Sequence, residues 1–193
     1  MTDYTSLARE QEKCAFEIIK STKIIDIWQQ AGARINLVGS LKIGTLAKHR
    51  DIDFHIYTNE LNLKQSFAVM AKICTNPNVK KCEFSNLAET EEACFEWHIW
   101  VEDRNGSLWQ IDMIQILSGS KYDGWFEAVA DKIKNAMTEE MRQTVLKLKF
   151  ETPDDLKIGG IEYYKAVIQD GITDFDAFLK WRSKQNFNGI IEW

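Results

Sequence analysis

The stretch that most constrains this chain runs from Leu37 to Tyr57. An apolar run ends in Gly39-Ser40, a spacer of ten residues follows, and Asp51-Ile52-Asp53 then stands inside a second apolar run. The two runs, 34–38 and 51–57, read as strands. Side chains on a strand alternate between faces, so Asp51 and Asp53 project side by side while Ile52, Phe54 and Ile56 form the opposite, apolar face. Asp is normally depleted in strands. Two carboxylates this close repel, and the usual relief is protonation of one or a shared cation.

The remaining pattern sets the frame around this pair. Cys14, Ala15, Ile18, Ile25 and Trp28 recur at helical spacing over 6–31, and Ala31-Gly32 ends the run. Residues 41–47 read as a short helix or turn. Asn62 with Gln65 three residues on marks a helix start, and this helix carries Phe67, Met70, Ala71 and Cys74 and stops before Pro77. Further strands are expected at 79–85, 94–102 and 107–117. The last two are joined through Arg104-Asn105-Gly106-Ser107, a hairpin signal. A two-residue turn at Asn105-Gly106 pairs Ile99 with Asp112 and turns His98 to the opposite face; another turn length reverses this.

From Tyr122 the character changes. Trp125, Phe126, Val129, Ile133 and Met137 follow helical spacing. Thr152-Pro153-Asp154-Asp155 reads as a cap residue, a Pro at the first helical position and acids in the first turn. A helix over 161–169 ends at Gly171, and a last helix opens between Thr173 and Asp176. The expected fold class is α+β: a mixed sheet of about five strands with flanking helices, then a helical C-terminal region. The expected division is an α/β domain over 1–120 and a helical region over 121–193.

A chain of 193 residues suits one domain, or one with a small partner, and hides roughly 70% of its unfolded surface. Hydrophobic content of 45% and charged content of 27% are those of an ordinary soluble domain. The net charge of -5 argues against a broad nucleic-acid surface, which is usually basic. The apolar runs fall short of the ~20 residues of a membrane span, and the start lacks a signal-peptide pattern. A cytoplasmic location, no membrane partner and no nucleic-acid partner are therefore expected. Cys14, Cys74, Cys82 and Cys94 form no CxxC pair and read as thiols. Ile190, Ile191 and Trp193 make an apolar end suited to a core or a dimer contact, which leaves oligomeric state open.

A third acid sharpens the reading. Asp112 stands inside the apolar strand Trp109 to Ile116. Three carboxylates on neighbouring strands suit phosphoryl transfer, in which two metal ions about 3.5–4 Å apart clamp the attacking and leaving oxygens. Asp51 and Asp53 would bridge two magnesium ions, and Asp112 would hold the ion that activates an attacking hydroxyl and take its proton. The charge of the ions makes three clustered acids tolerable. Ser40 suits donation to a phosphate oxygen, helped by backbone N–H groups at the start of the next helix; the plainer reading is a helix cap. Lys42 lies one turn on, within reach of a triphosphate or simply exposed. His55 shares the acids' face and either lines an acceptor pocket, orients a carboxylate or is structural. His49 precedes Asp51 in a loop. Trp97, Trp100, Trp109 and Trp125 suit core positions better than a ligand platform. Lys147, Lys149, Lys157 and Lys165 read mainly as surface charge.

These parts in this order resemble the DNA-polymerase-β-type nucleotidyltransferase superfamily over about residues 34–117. The resemblance implies Gly39-Ser40 against the nucleotide phosphates, Asp51, Asp53 and Asp112 on two Mg²⁺ ions, ATP or another NTP as co-substrate, and a triphosphate-binding lysine from the helical region. Lys48-His49-Arg50-Asp51-Ile52-Asp53 is similar to the basic-x-His-x-Asp-x-Asp stretch of small lincosamide and aminoglycoside nucleotidyltransferases, and Trp109-Gln110-Ile111-Asp112 to their third-acid strand. The turn departs from theirs, with Gly-Ser in place of Gly-Gly-Trp and a shorter spacer. The resemblance implies transfer of AMP from ATP to a hydroxyl of a small-molecule acceptor, an antibiotic being one candidate. The alternatives are a toxin–antitoxin-type transferase or nucleotide-binding protein acting on a protein partner, and a polymerase-like enzyme on RNA ends, which acidic charge and small size disfavour.

Overall fold

Burial alternates along the strands, and this alternation builds the sheet. In the computed structural model, which describes residues 3–187 and Trp193, five strands form one sheet in the order β1-β2-β5-β4-β3. They are β1 (Arg34–Val38), β2 (Asp51–Thr58), β3 (Val79–Leu87), β4 (Cys94–Glu102) and β5 (Leu108–Leu117). Only β2 and β5 run parallel among these neighbours; the other pairs are antiparallel. One face carries Ile52, Phe54, Ile56, Trp97, Ile99, Ile111 and Met113 into a core with Trp28 and Ile73. Helices α1 (Tyr4–Thr22), α2 (Ile24–Gln30) and α4 (Leu63–Cys74) supply the other side of that core. Burial of several such side chains, at about 1.5–3 kcal/mol each, is what makes the register worth keeping.

The expected helix over 6–31 is two helices. Thr22 turns its hydroxyl back onto the Ile18 and Ile19 carbonyls, and Lys23 takes a left-handed conformation at φ 53°. Such back-bonding competes with the helix ladder and lets the chain bend. The short helix or turn expected at 41–47 is a short helix that begins earlier, α3 (Gly39–Ile43), so Gly39 and Ser40 belong to the helix itself. The four cysteines are free thiols, as their spacing suggests.

Beyond β5 the described chain is helical: α5 (Trp125–Ala136), α6 (Glu139–Glu151), α7 (Gly160–Tyr164) with a π-helical continuation over Lys165–Gln169, and α8 (Phe175–Arg182). Thr152-Pro153 ends α6 rather than opening a helix. The Thr152 hydroxyl closes onto the Leu148 carbonyl and Tyr163, and Pro153 then blocks further turns. These helices share a second core with Ile43, Val145, Leu148, Tyr163, Tyr164 and Phe178, on which Trp193 packs. Ile190 and Ile191 lie outside the described residues. Glu127 fastens α5 to the sheet by accepting from Asn36 Nδ2 at 2.8 Å and the Tyr57 hydroxyl at 2.7 Å. Among the described residues no helix is long and apolar enough to cross a membrane.

The β4–β5 hairpin corrects one expectation about the acids. Its loop is longer than two residues: Glu102 pairs with Leu108, so His98, not Ile99, faces Asp112. Asp103 makes the loop. Its carboxylate accepts from the backbone of Asn105 at 2.8 Å and Ser107 at 2.9 Å, and from Trp109 Nε1 at 3.1 Å. Burial pushes its pKa up, but these bonds outweigh that and hold it below the usual value. A lowered carboxylate pKa stabilises the fold above the unfolded value, and the gain is lost as pH falls through the folded one. Asp103→Ala is therefore expected to lower stability by about 1–2 kcal/mol at neutral pH, the low end reflecting solvent screening, and by less near pH 3, as read by urea unfolding.

Candidate active site

The sheet face opposite the first core is only partly covered by α5, and the acids stand on its open part. The parallel register sets Asp53 beside Asp112, and Val38 pairs with Asp53 from the other side. Asp51, Asp53 and Asp112 all line a cleft of about 630 Å³ together with Gly39, Ser40, His49, Arg50, Gln110, Lys149, Lys157, Tyr163 and Tyr164. Gly39 is required where it stands. It has φ +66°, and a Cβ added there would lie 1.9 Å from Asp53 Oδ2. The turn thus folds its backbone directly over a carboxylate, which only glycine permits.

Asp112 is held by its neighbours. Its Oδ1 meets His98 Nδ1 at 2.6 Å and accepts from Gln110 Nε2 at 2.7 Å, while His98 Nε2 is 3.8 Å from Glu96. Burial, then the charges of Asp51 and Asp112, push the Asp53 carboxyl up to about 8, with Lys149 pulling the other way. His55 lies on the same face, and burial pushes it down to about 4, with Glu127 opposing, so its imidazole is neutral.

Lys149 is the residue that sequence reasoning did not single out. It is only 8% exposed, donates to the Thr45 carbonyl at 3.1 Å and sits 5.4 Å from the Tyr164 ring centroid. A signal was present: Val145, Leu148, Lys149 and Thr152 share the buried face of α6, so a lysine occupies an apolar stripe. Tyr163 and Tyr164 are tethered by hydroxyl bonds to Thr152 and Thr45, each at 2.7 Å. Lys42 is not brought to the cleft; it faces Asp131 on α5 at 3.5 Å. Lys48 bonds the Thr152 carbonyl and pairs with Asp154 at 2.7 Å, which ties the loop before β2 to the segment after α6. Of the other tail lysines, Lys157 lines the cleft.

Among the described residues no three His, Cys, Asp or Glu side chains are placed so as to hold a metal ion by themselves. The donor set nonetheless suits magnesium, which is usually held by one or two carboxylates plus substrate phosphates and water rather than by a protein cage. The charges of Asp51 and Asp112, which add to burial in raising Asp53, are what such an ion would offset.

No protein-family model matches the chain, and no curated protein matches it. Solved structures do. A cytoplasmic RNA terminal U-transferase matches with a TM-score of 0.54 and 12% identity, over 86% of this chain and 52% of that one. The non-canonical poly(A) polymerase complex GLD-2–GLD-3 matches with a TM-score of 0.54 and 10% identity, over 100% and 70%. The Cid1 poly(U) polymerase with Mg 3'-dATP bound matches with a TM-score of 0.51 and 14% identity, over 86% and 54%. The fold is of the nucleotidyltransferase type. The chain spans about half the length of the first of these structures (52%).

Two outcomes are expected. Gly39→Ala costs about 1–2 kcal/mol for its left-handed backbone and adds a clash with the Asp53 carboxylate, so a lower midpoint in urea unfolding is expected. The pH dependence follows from Asp53, whose folded pKa of about 8 lies above its ordinary 3.8. The ion-free fold then binds the proton more tightly than the unfolded chain, so its stability falls as pH rises from about 4 to about 8. A cation held there would need the carboxylate, so a magnesium-dependent thermal shift would grow between about pH 6 and 8.5. Asp53→Asn flattens both trends.

Proposed function

We propose that the protein is a magnesium-dependent nucleotidyltransferase that moves a nucleoside monophosphate from an NTP to a hydroxyl. The observation that carries this is the β2–β5 register, which sets Asp53 beside Asp112 on the wall of a cleft that also holds Gly39, Ser40 and Lys149. Asp51 and Asp53 are the ligands for the ions, joined by Asp112. Held by these acids, magnesium would supply positive charge that offsets the phosphates as the bonds change. The acceptor oxygen forms a bond to the α-phosphorus as the bond to the β-phosphate oxygen breaks. Pyrophosphate leaves with the electron pair, and the acceptor's proton passes to Asp112. Ser40 and the backbone of α3 donate to phosphate oxygens, and Lys149 neutralises part of the triphosphate. The Mg 3'-dATP bound to the structurally similar Cid1 supports magnesium with a nucleotide here.

A nucleic-acid acceptor is the second reading. It is favoured by the likeness to an RNA terminal U-transferase and a poly(A) polymerase, against the exclusion drawn above from net charge. A terminal hydroxyl needs only local contacts, so an acidic chain is compatible with it. The comparisons lend no support to an antibiotic acceptor.

The test is release of pyrophosphate and labelled product from ATP and UTP, with and without an oligoribonucleotide. Asp51→Ala, Asp53→Ala and Asp112→Ala are each expected to lower turnover by about 10³-fold. Lys149→Met is expected to raise KM for the nucleotide about tenfold, with less effect on kcat. Undiminished turnover in the aspartate variants would falsify the reading.

A further inference from the structure

A second cavity of about 360 Å³ meets the cleft at the acids, with Asp53, Asp112, Gly39 and Tyr164 forming walls of both. Its chemistry is different. Ile114 on β5 and Phe126, Val129 and Ile133 on α5 make most of its surface, and no Lys or Arg is among the described residues that line it. His55 closes one side at 7% exposure, edge-on to Phe126 with ring centroids 4.7 Å apart. Its Nδ1 is buried without a hydrogen-bond partner. An unpaired buried ring nitrogen costs free energy unless something supplies the missing bond. His98, which holds Asp112, also faces this space.

We infer that this cavity is the acceptor pocket and that it takes an uncharged alcohol carrying an apolar or aromatic ring, whose second polar group bonds His55 Nδ1 and whose hydroxyl is presented to Asp112. The volume suits one or two fused rings. A polycationic sugar has no acid in the pocket beyond the two that hold magnesium. A phosphodiester has no cation there to meet it, whereas phosphate contacts dominate nucleic-acid binding. The pocket rests on the proposed transferase reading for the transfer step, though not for binding. In that step the alcohol oxygen bonds the α-phosphorus, its proton goes to Asp112, and pyrophosphate leaves.

The probe is 2-naphthalenemethanol, with magnesium and a nonhydrolysable ATP analogue present and binding read by NMR. The wild type is expected to bind it saturably and, with ATP, to convert it to its adenylyl ester. Val129→Trp fills the cavity and Phe126→Ala removes a wall. Each is expected to weaken probe binding at least tenfold while the thermal shift with magnesium and nucleotide persists, which also shows that the variant is folded. His55→Phe keeps the ring but lacks the nitrogens, and it leaves 2-naphthalenemethanol bound while abolishing the tighter binding of a probe with a second hydroxyl. Nucleotide binding with no naphthyl binding, or extension of an oligoribonucleotide that Val129→Trp leaves untouched, overturns the pocket and spares the transferase. Probe binding that Val129→Trp abolishes, with no turnover of any NTP, keeps the pocket and overturns the transferase.

Discussion

The parallel pairing of β2 with β5 is the constraint on which the rest depends. It sets the apolar side chains Ile52 and Ile111 together in the core and, on the other face, sets Asp53 against Asp112. A slip of one residue in either strand would bury a carboxylate and expose an isoleucine, so the core enforces the acids' proximity. The cost is the burial of a carboxylate beside two others, and burial first, then their repulsion, raises the Asp53 carboxyl. Gly39 then matters because β1 lies antiparallel against β2 and turns directly over Asp53, leaving no space for a side chain.

How much of this could be read from residues alone divides by range. The strands, the acids' shared face and the mixed sheet follow from period-2 alternation, which is local. The side of β5 on which His98 falls does not, because it turns on a single residue of loop length. Asn105-Gly106 reads as a two-residue turn, yet the Asp103 carboxylate gathers two backbone N–H groups and widens the loop. The break at Lys23 escaped for a similar reason: apolar spacing continues through it, and the Thr22 back-bonds that permit it carry no periodic signal. Thr152-Pro153 fits a helix start and a helix stop equally well by composition, and only packing against Tyr163 distinguishes them. Lys149 was visible as one of four lysines; its burial depended on where α6 docks.

The two cavities flanking the acids differ in a way that bears on the chemistry. The polar cleft carries four acids, Asp51, Asp53, Asp112 and Asp154, against Arg50, Lys149 and Lys157. On the transferase reading proposed above, a triphosphate adds negative charge beside these acids, and divalent cations that accompany it would offset that charge. The second cavity sets Ile114, Phe126, Val129 and Ile133 beside Asp112. An acceptor bound there would displace water from beside Asp112, where each charge–dipole contact then counts for more than in bulk solvent. On the transferase reading, an acceptor that fills the cavity favours transfer over hydrolysis, because an occupied pocket leaves its hydroxyl as the nucleophile at hand.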